Sequence, residues 1–263
     1  MAKPLKNQTA LITGASGGIG FEFTRLFAAD GYNLVLVART EAKLRMMAAD
    51  LSKQYGITVT VVGADLALSD APDDVFSELQ DQHIKVDILV NNAGFGEYGP
   101  FKETPLRKEL DMVQVNITAL MHLTKLFLNQ LPARKPGKIL NIASLAAFQP
   151  GPLMAVYYAS KAIVLSFSEA LANELQSENI TVTVLCPGAT ETDFEKNASL
   201  TDSKLFSRGV ADARSVAEAG YQGLMAGETV VIPGIKNKLM ALASGLAPRK
   251  VRTHIVRKIQ EKK

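Results

Sequence analysis

The chain has 263 residues, of which 47% are hydrophobic and 21% charged, the balance of a soluble globular protein long enough for one α/β domain with an ample core. Its net charge of +3 is uneven: residues 249–263 hold seven Lys or Arg against one Glu, a local +6 that leaves −3 for the body and argues against a nucleic-acid partner. The single cysteine, Cys186, excludes an internal disulfide and fits a reducing, cytoplasmic setting, while three scattered histidines offer no zinc site, so no metal is expected.

Residues 1–8 carry Lys3 and Lys6 but no apolar core, and no apolar run reaches the ~18 residues of a membrane span, so neither a signal peptide nor a span is expected. Thr9–Thr13 reads as a short apolar strand that runs into Gly14-Ala15-Ser16-Gly17-Gly18-Ile19-Gly20. Ile19, Phe23, Leu26 and Phe27 then recur at helical spacing until Gly31. Strand, glycine loop and helix in this order form a phosphate-site pattern. Glycines let the backbone turn tightly and approach a pyrophosphate, which rests on the amides and positive dipole of the helix N-terminus. Asn33–Ala38 reads as the second strand, with Arg39 at its tip. In dinucleotide folds an acid there holds the ribose 2′-hydroxyl of NAD, whereas an Arg accommodates the 2′-phosphate of NADP. Ala38 and Arg39 offer no acid, and a guanidinium grips phosphate with paired hydrogen bonds.

Thr40 is placed to cap a helix striped by Leu44, Met47, Leu51 and Tyr55. A third strand over 58–64 ends at Asp65-Leu66, and Pro72 opens a short helix carrying Val75, Phe76 and Leu79. A fourth strand over 87–90 delivers Asn91-Asn92-Ala93-Gly94. Residues 104–131 read as one long helix opened by Thr104-Pro105, with Asn116 interrupting its apolar face. A polar amide there is either a satisfied packing residue or a holder of backbone or water. A fifth strand over 138–143 ends at Ser144, on the ligand side of a parallel sheet, where a serine also serves as an ordinary turn residue.

Residues 154–177 read as a second long helix, which carries Tyr157-Tyr158-Ala159-Ser160-Lys161. Tyr157 and Lys161, four apart, stack on one helix face, whereas Tyr158 has Ala162 as its i+4 neighbour. A free tyrosine titrates near ~10, and an ammonium beside it favours the phenolate. The pair is therefore expected to lower the Tyr157 pKa and to exchange a proton with a carbonyl or alcohol near neutrality.

A sixth strand over 181–186 ends in Pro187-Gly188. The polar stretch 189–208 lacks a clear period and reads as a lid beside a cleft. A helix over 215–225 and a strand over 229–232 close the sheet. Beyond them come Leu239, Leu242 and Leu246, and then Val251, Ile255 and Ile259 at i, i+4 and i+8 among basic residues. That is a basic amphipathic helix, suited to an anionic membrane surface, to the mouth of a substrate pocket, to another subunit, or to its own body. Alternating strands and helices give an α/β fold: a doubly wound, mostly parallel, Rossmann-like sheet with helices on both faces. One dinucleotide-binding and catalytic domain spans 1–234, and a basic helical extension spans 235–263.

Together these residues resemble the short-chain dehydrogenase/reductase family over 8–232. Thr13, Gly14, Gly18 and Gly20 match its glycine signature, and Asn91-Asn92-Ala93-Gly94 and Pro187-Gly188 match two further motifs. Asn116, Ser144, Tyr157 and Lys161 match its catalytic tetrad in order and spacing. The resemblance implies hydride transfer between a nicotinamide and a carbonyl/alcohol carbon. Tyr157 would be the general acid or base, Lys161 would tune it and hold the nicotinamide ribose, Ser144 would bond the substrate oxygen, and Asn116 would hold a proton-relay water. It also implies cofactor contacts from Gly14, Ser16, Gly18, Ile19, Gly20, Arg39, Asp65, Leu66, Asn92, Ala93, Gly94, Tyr157, Lys161, Pro187, Gly188 and Thr192. Arg39 points to NADP(H), and hence to reduction. One departure is Gly17, where NADP-preferring members often carry a base. The apolar residues Phe95, Phe101, Phe148 and Met154 point to an apolar carbonyl substrate, and the two long helices to a homodimer or homotetramer. The competing reading is a nicotinamide-binding sensor or scaffold without turnover.

Overall fold

A computed structural model describes residues 8–132, 135–198, 210–246 and 248–261. Its chain alternates β1 (Thr9–Thr13), α1 (Gly18–Ala29), β2 (Asn33–Ala38), α2 (Glu41–Tyr55), β3 (Val59–Gly63), α3 (Ala71–Asp81) and β4 (Ile88–Asn91). It continues with α4 (Leu106–Val113), α5 (Leu120–Gln130), β5 (Gly137–Ile142), α6 (Ala155–Glu174) and β6 (Ile180–Leu185). The remainder is β7 (Thr190–Glu191), α7 (Phe194–Asn197), β8 (Ala211–Asp212), α8 (Ala213–Ala226), β9 (Val230–Val231), α9 (Ile235–Leu246) and α10 (Arg249–Gln260).

Seven strands form one parallel sheet in the order β3-β2-β1-β4-β5-β6-β9. Helices cover both faces, which is why β1 is buried at every position instead of alternating. On one face Phe23, Phe27, Leu44, Val216 and Leu224 pack from α1, α2 and α8. On the other, Val75, Phe76, Leu123, Phe127 and Leu171 pack from α3, α5 and α6. The sequence order of the strands reverses between β1 and β4, which opens a crevice at their C-terminal ends, the general ligand position in open α/β sheets. The expected doubly wound fold is the observed one.

Several local expectations are corrected. The helix expected over 104–131 is split: a π-helical turn, Gln114–Ala119, separates α4 from α5 and carries Asn116. The reason lies in the tertiary structure. The Asn116 amide is held by the Phe95 backbone, donating to its carbonyl at 3.0 Å and accepting its N–H at 3.1 Å. Thr40 stands at the N-cap of α2 but makes no side-chain cap bond; its carbonyl accepts the Lys43 and Leu44 amides instead. The Thr104 hydroxyl bonds Glu109 across the first turn of α4. Of the polar stretch over 189–208, the first part folds as β7 and α7, with β7 paired to β8, and residues 199–209 lie outside the described residues.

Candidate active site

A cavity of about 690 Å³ opens along the C-terminal ends of β1, β4, β5 and β6, within the size range of small-molecule sites. Its floor at one end is the glycine loop. Gly14 and Gly18 take φ values of +63° and +53°, in the left-handed region open to glycine at little cost. A Cβ on Gly18 would come within 2.9 Å of Thr192 Cγ2, and one on Gly20 would strike the Gly14 carbonyl oxygen and the Asn92 amide. The loop is stitched to β4: the Thr13 hydroxyl accepts the Asn92 and Ala93 amides at 3.0 Å each, and the Asn92 side chain donates to the Thr13 carbonyl at 2.9 Å. Gly17, at the N-cap of α1, gives the first turn no side-chain cap. Those free amides, the positive helix end and the bare backbone make a cradle that fits a pyrophosphate.

Two cations stand by this end. Arg39 is exposed at the tip of β2 and does not line the cavity, while Lys43, one helical turn later, does. Lys43 Nζ comes within 3.9 Å of where a Cβ on Gly17 would sit, as does Asp193 Oδ2. The base absent from the loop at Gly17 is thus matched by Lys43, a residue that sequence reasoning missed because it lies in the next helix with no local signal tying it to the loop. Asp65 binds the Ala67 amide, and the Leu66 side chain packs into the core, which leaves its backbone for any contact.

At the other end α6 brings Tyr157 and Lys161 to the cavity wall beside Ser144. Lys161 is 5% exposed, and Nζ donates to the Ile142 carbonyl at 2.8 Å and lies 5.8 Å from the Tyr157 ring centroid. Burial pushes Lys161 down to about 8. The expected lowering of the Tyr157 pKa is not what this arrangement produces. Burial pushes the phenol well above its ordinary value, and the hydrogen bond from Ser144 offsets only part of that. Lys161 Nζ lies 5.8 Å from the ring centroid, and its charge is not among the influences that set the phenol's direction. Tyr158 also lines the cavity but packs against Gly151 and the α10 side, its hydroxyl pushed up to about 12 by burial. Ser144 also binds the Ala146 amide at 3.1 Å.

Asn116 is 1% exposed and meets the same cluster from the π turn, with a Cβ on Gly94 falling 3.1 Å from its Oδ1 and 3.4 Å from Lys161 Nζ. Its amide donates to Phe95 O and to Ser160 Oγ, so both N–H groups are taken by the protein. Its side chain therefore anchors the loop after β4; it is not a free donor for a water. Pro187, Gly188 and Thr192 line the cavity between its two ends. Sequence reasoning missed Phe194, whose ring stands 5.2 Å from that of Tyr157, and named no wall residue of α9 or α10; Asn237, Met240, Arg252, Ile255 and Val256 line the cavity, the pocket-mouth placement among those left open for the basic helix. Among the described residues no cluster of metal-ligating side chains occurs, and no helix is long and apolar enough to cross a membrane.

The chain matches a family model described as short chain dehydrogenase over residues 8–203. Over 177 residues it is 41% identical to a very-long-chain 3-oxoacyl-CoA reductase of Pyrenophora tritici-repentis, a match covering 66% of this chain and 52% of that protein. The chain thus spans about half the length of that reductase. It superposes on a short-chain dehydrogenase from Sphingobium yanoikuyae in complex with NADPH, with a TM-score of 0.80, 32% identity, and coverage of 91% and 94% of the two chains. It also superposes on a bulky-bulky ketone specific alcohol dehydrogenase from Comamonas testosteroni, with a TM-score of 0.77, 31% identity, and coverage of 93% and 94%.

Proposed function

The chain belongs to the short chain dehydrogenase family, and from that premise we propose an NADP(H)-dependent oxidoreductase acting between the carbonyl and alcohol forms of an apolar substrate. The observation that carries this is the juxtaposition of Tyr157, Ser144 and Lys161 in the wall of a cavity whose other end is a bare glycine cradle. Gly14, Ser16, Gly18, Ile19 and Gly20 would seat the pyrophosphate, and Lys43 and Arg39 the 2′-phosphate. Asp65 and Leu66 would flank the adenine, and Asn92, Ala93, Gly94, Pro187, Gly188 and Thr192 the nicotinamide end. NADP(H), when bound, supplies or accepts the hydride. Binding of NADPH by the Sphingobium relative supports the choice of cofactor.

The chain's own part is to hold the proton and the oxygen. Tyr157 carries its proton at pH 7 and would be the group that gives it to a carbonyl oxygen in reduction; because burial makes the free phenol a weaker acid than usual, efficient transfer requires that the bound cofactor and substrate bring its pKa back down. Ser144, whose hydroxyl donates to the Pro187 carbonyl at 3.4 Å, would turn that one O–H to the substrate oxygen as charge develops on it. Lys161 holds the Ile142 carbonyl and, at about 8, is mostly protonated at neutrality, a cation available to a ribose hydroxyl and to the proton path. Asn116 is a positioning residue that fixes the Phe95 loop against α6. Phe148, Met154 and Phe194 give the substrate end its apolar character.

Residues 1–234 form the dinucleotide-binding and catalytic unit in this proposal, and 235–263 an extension that completes the substrate wall. A homodimer or homotetramer is supported by apolar side chains left exposed on α4–α6, among them Leu106, Leu110, Met121 and Ile163. A cytoplasmic setting is supported by the lone buried Cys186. Peripheral contact with anionic membrane is supported by exposed Val251 among the basic residues of α10, whose Ile255 and Ile259 line the cavity. The deciding experiment is NADPH consumption against ketones, aldehydes, ketosteroids and 3-oxoacyl thioesters, with NADH and Tyr157→Phe as controls. Turnover that is selective for NADPH and lost in the variant is expected. Tight NADPH binding with no turnover across the panel would favour a binding-only sensor.

A further inference from the structure

We propose that Arg252 receives an anionic group of the substrate, a carboxylate or a phosphate, so that the pocket takes amphipathic anionic carbonyl compounds in preference to neutral ones. This rests on the oxidoreductase reading above and narrows its substrate class. Arg252 lines the cavity from α10 together with Ile255, Val256 and Ile259. It stands four residues before Val256 and so shares its helix face. That face is docked: Val256 is buried in a cluster with Ala146, Met154 and Tyr158, and the Tyr98 hydroxyl donates to the Gln260 carbonyl at 2.9 Å. Docking of α10 by Val256 and Gln260 against Tyr158 and Tyr98 thus sets the helix that carries Arg252 beside the tyrosine end of the cavity.

What marks Arg252 is the state of its guanidinium. Its Nε is shielded from solvent and has no hydrogen-bond partner, and among the described residues the side chain has no ion pair. The ion pair of its helix is Arg257–Glu261 instead. A shielded cationic donor is costly to leave unmatched, and an oxyanion matches its fork with paired, charge-assisted hydrogen bonds. The other charged residues on the cavity wall stand elsewhere: Lys43 and Asp193 beside Gly17, and Lys161 bonded to the Ile142 carbonyl. On its own helix the other lining residues are apolar, Ile255, Val256 and Ile259, and α9 adds Met240, Ala241 and Ala243 beside polar Asn237 and Ser244. An apolar body carrying one oxyanion fits that wall, and a neutral ketone leaves the guanidinium unanswered.

The test compares a medium-chain oxo acid, the matching oxoalkyl phosphate and the oxo acid's methyl ester. Affinity is read by calorimetry on the NADP⁺-loaded protein, and turnover by NADPH consumption. Wild type is expected to bind one of the two anions at least about tenfold more tightly than the ester, the worth of one charge-assisted contact. The favoured anion tells carboxylate from phosphate. Arg252→Met, which keeps the apolar stem, should bring that ratio to within about twofold of unity with ester binding and NADPH KM unchanged, and Arg252→Lys should keep part of it. Equal binding of acid, phosphate and ester by wild type would overturn the proposal even if Arg252→Met does not fold. A rise in NADPH KM in Arg252→Met would also overturn it, because the guanidinium would then belong to the cofactor. Turnover without anion preference refutes this inference alone, whereas anion-selective binding without any turnover refutes the oxidoreductase reading alone.

Discussion

At Tyr157 burial and the neighbouring Tyr158 raise the phenol, and they outweigh the lowering influence of Ser144. The phenol of the free protein should therefore titrate above the ordinary value of ~10. The phenolate absorbance of wild type minus Tyr157→Phe should stay flat from pH 7 to about 10; a phenolate appearing below pH 9 would contradict the arrangement. The same variant should lose about 10²–10⁴-fold in kcat, the usual contribution of a proton donor, with NADPH binding intact. Lys161 makes a stability prediction. Its folded pKa of about 8 lies below the ordinary 10.5, so the unfolded chain binds the extra proton between those values and stability rises with pH across that window. Lys161→Met should be the more stable protein below pH 8 by up to about 3 kcal/mol, less the cost of freeing the Ile142 carbonyl. That gap should close between pH 8 and 10.5, as thermal melts across pH would record. The residues of this cluster were legible in the sequence because each occupies a recognisable local position. The direction of the Tyr157 shift was not, because desolvation depends on everything packed around the ring.

At the scale of elements the π turn Gln114–Ala119 is the clearest case of tertiary contacts overriding local pattern. The apolar spacing of 104–131 is that of a continuous helix, yet the Asn116 side chain is drawn to the Phe95 backbone and to Ser160. Such turns recur at functional sites because they re-aim one side chain without ending the helix. Asn116→Ala should cost about 1–3 kcal/mol, since it strands the Phe95 amide and carbonyl, and should lower kcat more than it raises NADPH KM. Chemical denaturation and steady-state kinetics on the same preparation would check both. The glycine loop makes the opposite point. Its signature was readable because only glycine fits where a Cβ on Gly20 would meet the Gly14 carbonyl. Gly20→Ala should weaken NADPH binding and lower the melting temperature together. Lys43 escaped notice because it belongs to the next helix, and only the βαβ crossover returns it to Gly17. Lys43→Ala should raise the NADPH KM and leave that for NADH unchanged.

Over the whole molecule the seven-stranded sheet positions one end of the cavity, and the C-terminal helices complete the other. Undocking α10 with Val256→Asp should leave NADPH binding in place while lowering kcat/KM for bulky apolar ketones, because Val256 seats the helix against Met154 and Tyr158. Retained activity on such ketones would show that α10 is not part of the wall. The sequence by itself determined the strand-helix alternation, the glycine cradle, the tip residues Asn92, Ser144 and Pro187, and the Tyr157–Lys161 pair. Each is specified within a few residues by periodicity, by backbone freedom or by the end of a strand. The tertiary structure alone decided the π turn at Asn116, the place of Lys43, the raised phenol and the wall supplied by α9 and α10 with Arg252 in it. Those depend on residues far apart in the chain being packed together, where burial removes water and leaves each polar group with only the partners that the fold supplies.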